Sequence, residues 1–174
     1  MIGKKLEDAL NGQLNAELYS AYLYLSMSSY LESLNLSGFG NWMRVQFEEE
    51  QFHAMKLYDY IIERGGRVIC KPIDGPETEW DGPVGAFEAT LAHERNVTGL
   101  INDLVYLARD ERDNAGEVFL SWYVSEQVEE KNNVETILGK LRLADGNPQA
   151  LLMIDQELGT RVYMPPGTAE GGKK

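Results

Sequence analysis

The sequence predicts an all-α fold: an antiparallel four-helix bundle with one long crossover and a short fifth helix near the C-terminal end. Three observations predict it. Apolar residues recur at helical spacing over four long stretches and one short one. The connections between the long stretches run short, long, short. The polar residues that fall inside the apolar stripes of the first two stretches reappear, at one fixed offset, in the last two.

The helical spacing covers about 5–34, 38–64, 84–110 and 114–142, with a shorter stretch at about 148–160. Asn35 to Gly38 separates the first pair, with Ser37 expected as an N-cap, and Gly65-Gly66 ends the second helix. Asn147-Pro148 reads as a cap followed by proline at the first helical position. The short connections near 35–37 and 111–113 force antiparallel neighbours. Residues 65–83 form a long linker instead. A helix of ~28 residues is ~42 Å long at 1.5 Å per residue, and ~18 extended residues reach up to ~60 Å, so this linker can traverse the bundle. Residues 1–164 are expected as one domain and 165–174, beginning Pro165-Pro166, as a flexible tail.

Among 174 residues, 28 acids against 16 bases give a net charge of −12, a field that repels nucleic acid and anionic membrane and attracts cations. Cys70 is the single cysteine, so no internal disulfide can form, as a reducing compartment leads one to expect. No apolar leader or spanning run is present, and a cytoplasmic protein is expected. From Leu18 to Leu31 the first helix carries no charge at all, although one buried face needs only a stripe about 100° wide. A subunit interface is expected to cover the remainder.

The chemistry lies in the stripes. Glu17 falls in line with Leu6, Leu10, Leu14, Ala21, Tyr24 and Leu31; Glu50 and His53 fall in line with Phe39, Met43 and Leu57. Glu94 shares its stripe with Phe87, Leu91, Val97 and Ile101, and Gln127 and Glu130 share theirs with Leu120, Tyr123 and Val134. An offset of 77 carries Glu17 to Glu94, Glu49 to Glu126, Glu50 to Gln127 and His53 to Glu130. Two hairpins that repeat each other in this way bring their polar core residues to one height. A carboxylate buried without a partner costs several kcal/mol, against a net stability of only ~5–15 kcal/mol. No Lys or Arg lies in these stripes. Two divalent cations would balance Glu17, Glu50, Glu94 and Glu130, and oxygen-rich ligation with one imidazole suits iron or manganese better than structural zinc.

In its NAELYSAYLYLSM, NWMRVQFEEEQFHAMKLYDYIIERGGR, AHERNV and FLSWYVSEQVEEK runs, nearly the whole chain resembles the non-haem ferritins of bacteria and archaea. Ferritin-like bundles are themselves the standing example of one long crossover and of inward Glu and Glu-x-x-His ligands. The resemblance implies a ferroxidase that oxidises Fe(II) with dioxygen or hydrogen peroxide and stores ferric mineral inside a cage of 24 subunits. It implies that Glu17 and His53 bind one iron, that Glu50 bridges, and that Glu94 holds a second iron near Gln127 and Glu130. Tyr24 would sit beside this centre. A third iron site would use Glu49, Glu126, Glu129 and Glu130. Gln127 and Glu130 stand where a duplicated pattern would have Glu and His, which implies an asymmetric centre. Gln51 stands where a haem-binding relative needs methionine, so haem is not expected. The alternative is a rubrerythrin-like peroxidase without mineral storage, but its usual Cys-x-x-Cys module is missing from this chain.

Other residues carry simpler readings. His93 points about 100° away from Glu94 and is expected at a surface or interface. Trp122 is expected as core. Asp110, Glu111, Asp113 and Glu117 read either as part of a cation entrance between subunits or as an acidic helix end.

Overall fold

The computed structural model describes residues 2–165, so all but the first residue of the expected tail lies outside the described residues. Helices α1 (Lys4–Ser33), α2 (Ser37–Glu63), α3 (Gly82–Asp110), α4 (Asn114–Ala144) and α5 (Pro148–Leu158) follow the expected boundaries within two residues. α1 packs mainly on α2 and α3 mainly on α4, and α5 closes against the start of α2. No helix among the described residues is long and apolar enough to cross a membrane.

Each reversal uses a left-handed residue: Asn35 (φ 59°) after α1, Gly65 (φ 73°) after α2, Arg112 (φ 55°) after α3, and Asp145 with Gly146 after α4. Asn147 caps α5 as expected, accepting from Gln149 N–H at 2.9 Å and Ala150 N–H at 3.2 Å. Ser37 does not cap α2. It is the first helical residue, because buried Leu36 seats in the core and sets where the helix begins. The free N–H of Phe39 is instead taken by the Asp155 carboxylate from α5, at 3.0 Å.

The crossover runs beside α1. Asn11 donates to Arg67 C=O and accepts from Ile69 N–H, Ser26 donates to Glu77 C=O, and Tyr30 donates to Trp80 C=O. Residues 67–80 thus follow residues 11–30, and the linker travels the bundle as its reach allows.

The core is interrupted. One apolar cluster gathers Met27, Leu31, Phe39, Trp42, Phe87 and Leu138 with Ile154 and Leu158 of α5. The other gathers Leu6, Leu10, Leu57, Ile61, Ile101 and Leu120 at the opposite end. The polar stripe residues lie between them. The acids at the α3–α4 turn are partly neutralised: Asp113 caps Gly116 N–H and pairs with Arg64 at 2.8 Å, and Glu117 pairs with Arg109 at 2.7 Å. That agrees with the helix-end reading of this cluster.

α5 docks so closely on α2 that a Cβ on Gly38 would lie 1.7 Å from the Asp155 carbonyl oxygen. Alanine ordinarily stabilises a helix interior relative to glycine by about 1 kcal/mol. Here backbone meets backbone and the sign reverses. Gly38→Ala is expected to lower stability by about 1–3 kcal/mol, read as an earlier denaturant midpoint; an unchanged or later midpoint would show that α5 is not held at this contact.

Candidate metal centre

Glu17 and Tyr24 on α1, Glu50 and His53 on α2, Glu94 on α3 and Gln127 and Glu130 on α4 all converge on the layer between the two apolar clusters. All are buried, with Tyr24 and Glu94 fully enclosed at 0% exposure. Glu17, Glu50 and His53 each offer a ligand atom within 4.8 Å of the others, and so do Glu50, Glu94 and Glu130. Glu50 belongs to both groups.

The acids are held by few donors. Gln13 Nε2 donates to Glu17 Oε1 at 2.8 Å, and Tyr24 O–H and Gln127 Nε2 donate to the two oxygens of Glu94, the latter at 2.9 Å. One oxygen each of Glu17, Glu50 and Glu130 is buried with no hydrogen-bond partner among the described residues. Buried polar atoms left so are rare and call for a ligand. His53 Nδ1 lies 3.4 Å from Glu50 and 3.8 Å from Glu130. Burial pulls the imidazole below its ordinary 6.5 against the opposing pull of Glu17 and Glu94, which favours the neutral ring. A neutral imidazole is a lone-pair donor, the state a metal requires.

Burial, then repulsion from Glu130, Glu17 and Glu94, pushes Glu50 well above its ordinary 4.5. Burial followed by Glu94 and Glu17 does the same to Glu130. The Tyr24 phenol is pushed up by burial and then by Glu94 and Glu50, and so keeps its proton. A divalent cation would relieve the repulsion among the carboxylates and offset the cost that burial imposes on their charge. The orphaned oxygens and the neutral nitrogen fit such an ion.

Glu49, Glu126 and Glu129 lie outside both groups of convergent ligands. Glu49 and Glu126 are partly buried and Glu129 is exposed. They are nonetheless close to one another. After burial itself, Glu129 and Glu49 are what raise the Glu126 carboxyl. Glu49 is paired with Arg161 at 2.6 Å.

Several partners are absent from the stripe reading. Gln13 and Thr98 stand one turn from Glu17 and Glu94, a spacing that could have flagged them; Thr98 donates to Glu94 C=O at 2.7 Å and receives Gln127 at 3.3 Å. Tyr123 was legible as core, but its O–H donates to His53 C=O at 2.8 Å and so ties α4 to α2 beside the site. His93 is half-buried rather than at an open surface. Its Nε2 lies 2.7 Å from Ser20 Oγ and its ring stands edge-on to Tyr24 at 6.0 Å. Trp122 is also half-buried, edge-on to His53 at 5.3 Å.

This geometry can be set against known proteins. A family model described as the ferritin-like domain matches residues 7–144. The bacterial non-heme ferritin of Bacteroides fragilis is 43% identical over 161 residues, covering 92% of this chain and all of that protein. The chain belongs to the ferritin family. The bacterial non-heme ferritin of Staphylococcus epidermidis shares 37% identity over 163 residues, 94% of this chain and 98% of that one. Among solved ferritins, the open pore ferritin of the hyperthermophilic archaeon Archaeoglobus fulgidus is 52% identical with a TM-score of 0.92, covering 93% of this chain and all of that one. A humanized archaeal ferritin matches at 52% identity and a TM-score of 0.94, over 95% and 100%. The bundle with its fifth helix is thus the ferritin fold.

The raised carboxyls give the ferritin site a pH signature. A group whose folded pKa lies above its unfolded value binds protons more tightly when folded, so its contribution is present below the unfolded value and is lost as pH rises. For Glu50 and Glu130 the loss begins near their ordinary 4.5 and continues upward. Metal-stripped protein is therefore expected to melt at a lower temperature at pH 7.5 than at pH 5, and Glu50→Gln to flatten that slope. Equal slopes for wild type and variant in parallel thermal melts would remove Glu50 as its source.

Proposed function

We propose that this ferritin is an iron-storage ferroxidase that takes two Fe(II) per subunit as substrate at the buried layer, oxidises them, and holds ferric mineral inside a 24-subunit cage in the cytoplasm. The observation that carries the reading is Glu50, common to two convergent ligand groups whose other members supply orphaned carboxylate oxygens and a neutral imidazole. Residues 1–164 act as one unit in this reading.

The roles follow from charge and reach. Two Fe(II) ions balance the four carboxylates Glu17, Glu50, Glu94 and Glu130. Glu17 and His53 hold the first, Glu94 and Glu130 the second, and Glu50 bridges. Gln127 presents its amide nitrogen to Glu94, so it orients that carboxylate, and its oxygen is what could face an ion. Gln13 steadies Glu17 in the same way. Tyr24 delivers its proton toward Glu94 and stays neutral, placing an oxidisable ring beside the reaction. Bound iron supplies the electrons that dioxygen or hydrogen peroxide accepts. The apolar clusters above and below keep bulk water from the layer. Assembly would also cover the uncharged face of α1, where Tyr22 is 49% exposed in the single chain.

Aerobic Fe(II) added to purified, metal-free protein should be consumed rapidly with oxidant uptake, and iron should remain with a particle of cage mass on sizing. Turnover with no retained iron would replace storage by a peroxidase of the rubrerythrin kind. Glu50→Ala should slow the rapid oxidation by more than the roughly 10–100-fold that loss of a ligand's outer-shell partner costs, while the particle still forms. An unchanged rate would remove Glu50 from the bridging role.

A further inference from the structure

We propose that Thr98 is a positioning residue of the buried layer: its hydroxyl fixes the Gln127 side-chain amide with nitrogen toward α3 and oxygen toward the layer, so that the second cation meets a neutral oxygen instead of an N–H. The inference rests on the dinuclear reading above and deepens it, because Thr98 lies outside every ligand stripe and would touch no ion itself.

Thr98 stands one turn after Glu94 on α3 and is half-buried. Its Oγ1 donates to Glu94 C=O at 2.7 Å, the bond to the preceding turn that a threonine inside a helix can make. A hydroxyl has one proton, and this one is spent on the backbone. Toward α4, Oγ1 can therefore only accept, and it accepts from Gln127 Nε2 at 3.3 Å. The same nitrogen donates to Glu94 Oε2 at 2.9 Å and to Glu94 C=O at 3.2 Å. An amide nitrogen has two protons. One serves the carboxylate, and the other is shared between the carbonyl and the hydroxyl.

All three oxygens facing that nitrogen are acceptors, so turning the amide over would set oxygen against oxygen three times. Thr98 completes the set. The two contacts that share a proton, at 3.2 and 3.3 Å, are long for N–H···O, and neither holds it well alone. Without the hydroxyl the amide is freer to turn about its last torsion, which is broad in glutamine. Such a turn brings an N–H, with its partial positive charge, round to the other side. Gln127 and Glu130 are one turn apart on the buried stripe of α4, so that side is the one nearer the group of Glu50, Glu94 and Glu130. A cation there would be repelled by the N–H and attracted by the oxygen. Among the described residues, neither Thr98 nor Gln127 hydrogen-bonds to Glu17 or His53, which bounds the effect to one of the two ions.

The test is calorimetric titration of metal-free, assembled protein with Zn(II), which is redox-inert and so reports binding alone. Wild type should bind at least two ions per subunit. Thr98→Val, which keeps the shape and removes the hydroxyl, should weaken the second ion about three- to tenfold, the worth of one neutral hydrogen bond, and leave the first unchanged. Thr98→Ser, which keeps the hydroxyl, should bind the second ion as wild type does. Gln127→Ala should also weaken the second ion, and adding Thr98→Val to it should cost nothing further, because Thr98 acts only through that amide. A loss of packing alone would instead persist in the double variant. Equal second-ion affinity in wild type and Thr98→Val, or an undiminished further loss in the double variant, overturns this proposal alone. A wild type that binds fewer than two ions per subunit overturns the dinuclear reading and this one together.

Discussion

Four carboxylates buried in one layer of a helix bundle, with no lysine or arginine buried among the described residues, set the terms for everything else in this molecule. Each ionised group would cost several kcal/mol in isolation, and the whole fold has only a small margin. The bundle meets this by concentrating apolar burial at the two ends. Leu6, Leu10, Leu57, Ile61 and Leu120 pack on one side and Met27, Phe39, Phe87 and Leu138 on the other, so the polar layer is clamped rather than left to adapt. Preorganisation of this kind has a thermodynamic consequence. The side chains cannot move apart to relieve their repulsion, so relief must come from protons or from cations.

Protons and cations are then competitors for the same oxygens. In the metal-free layer Glu50 and Glu130 favour the protonated form, whereas His53 favours the neutral one. A divalent ion entering the layer therefore releases protons from the acids but none from the histidine, and its apparent affinity rises with pH. Tyr24 and Gln127 stand outside this exchange. Both donate to Glu94, which has its two oxygens already oriented, while one oxygen each of Glu50 and Glu130 has no hydrogen-bond partner among the described residues. One wall of the site is fixed by hydrogen bonds, the other awaits charge.

Much of this was legible in the sequence because periodicity reports burial. A charged residue in register with leucines at both ends of a helix has nowhere to go but inward, and the offset of 77 placed Glu17, Glu50, Glu94 and Glu130 at one height. The helices fell where the apolar spacing put them. What periodicity does not report is tertiary reach. Ser37 looked like a cap by residue type, but the N–H it would have satisfied is met by Asp155, more than a hundred residues away. His93, expected at a surface or interface from its angle to Glu94, is half-buried within the single chain because α1 brings Ser20 and Tyr24 against it. Arg161 lies beyond the last periodic stretch, and only the return of the chain over α2 places it on Glu49.

The repeat also conceals an exchange. Across the offset, Glu50 answers to Gln127 and His53 answers to Glu130, so each hairpin contributes two carboxylates and one neutral donor. The net charge of the halves is equal, yet the positions of charge are not. One ligand group is Glu17, Glu50 and His53, two oxygens and a nitrogen; the other is Glu50, Glu94 and Glu130, oxygen alone. Imidazole favours the later first-row ions and carboxylate the harder ones, so two chemically identical ions would be bound unequally. The all-oxygen group is also the one that continues outward, since Glu130 feels Glu49 and Glu49 feels Glu129. An ion held only by carboxylates, next to a run of further carboxylates, has neighbours to exchange onto. An ion shared with His53 would have no such run beside it. On the dinuclear reading proposed above, asymmetry of donors would become direction: one side of the layer would retain an ion and the other would pass it on.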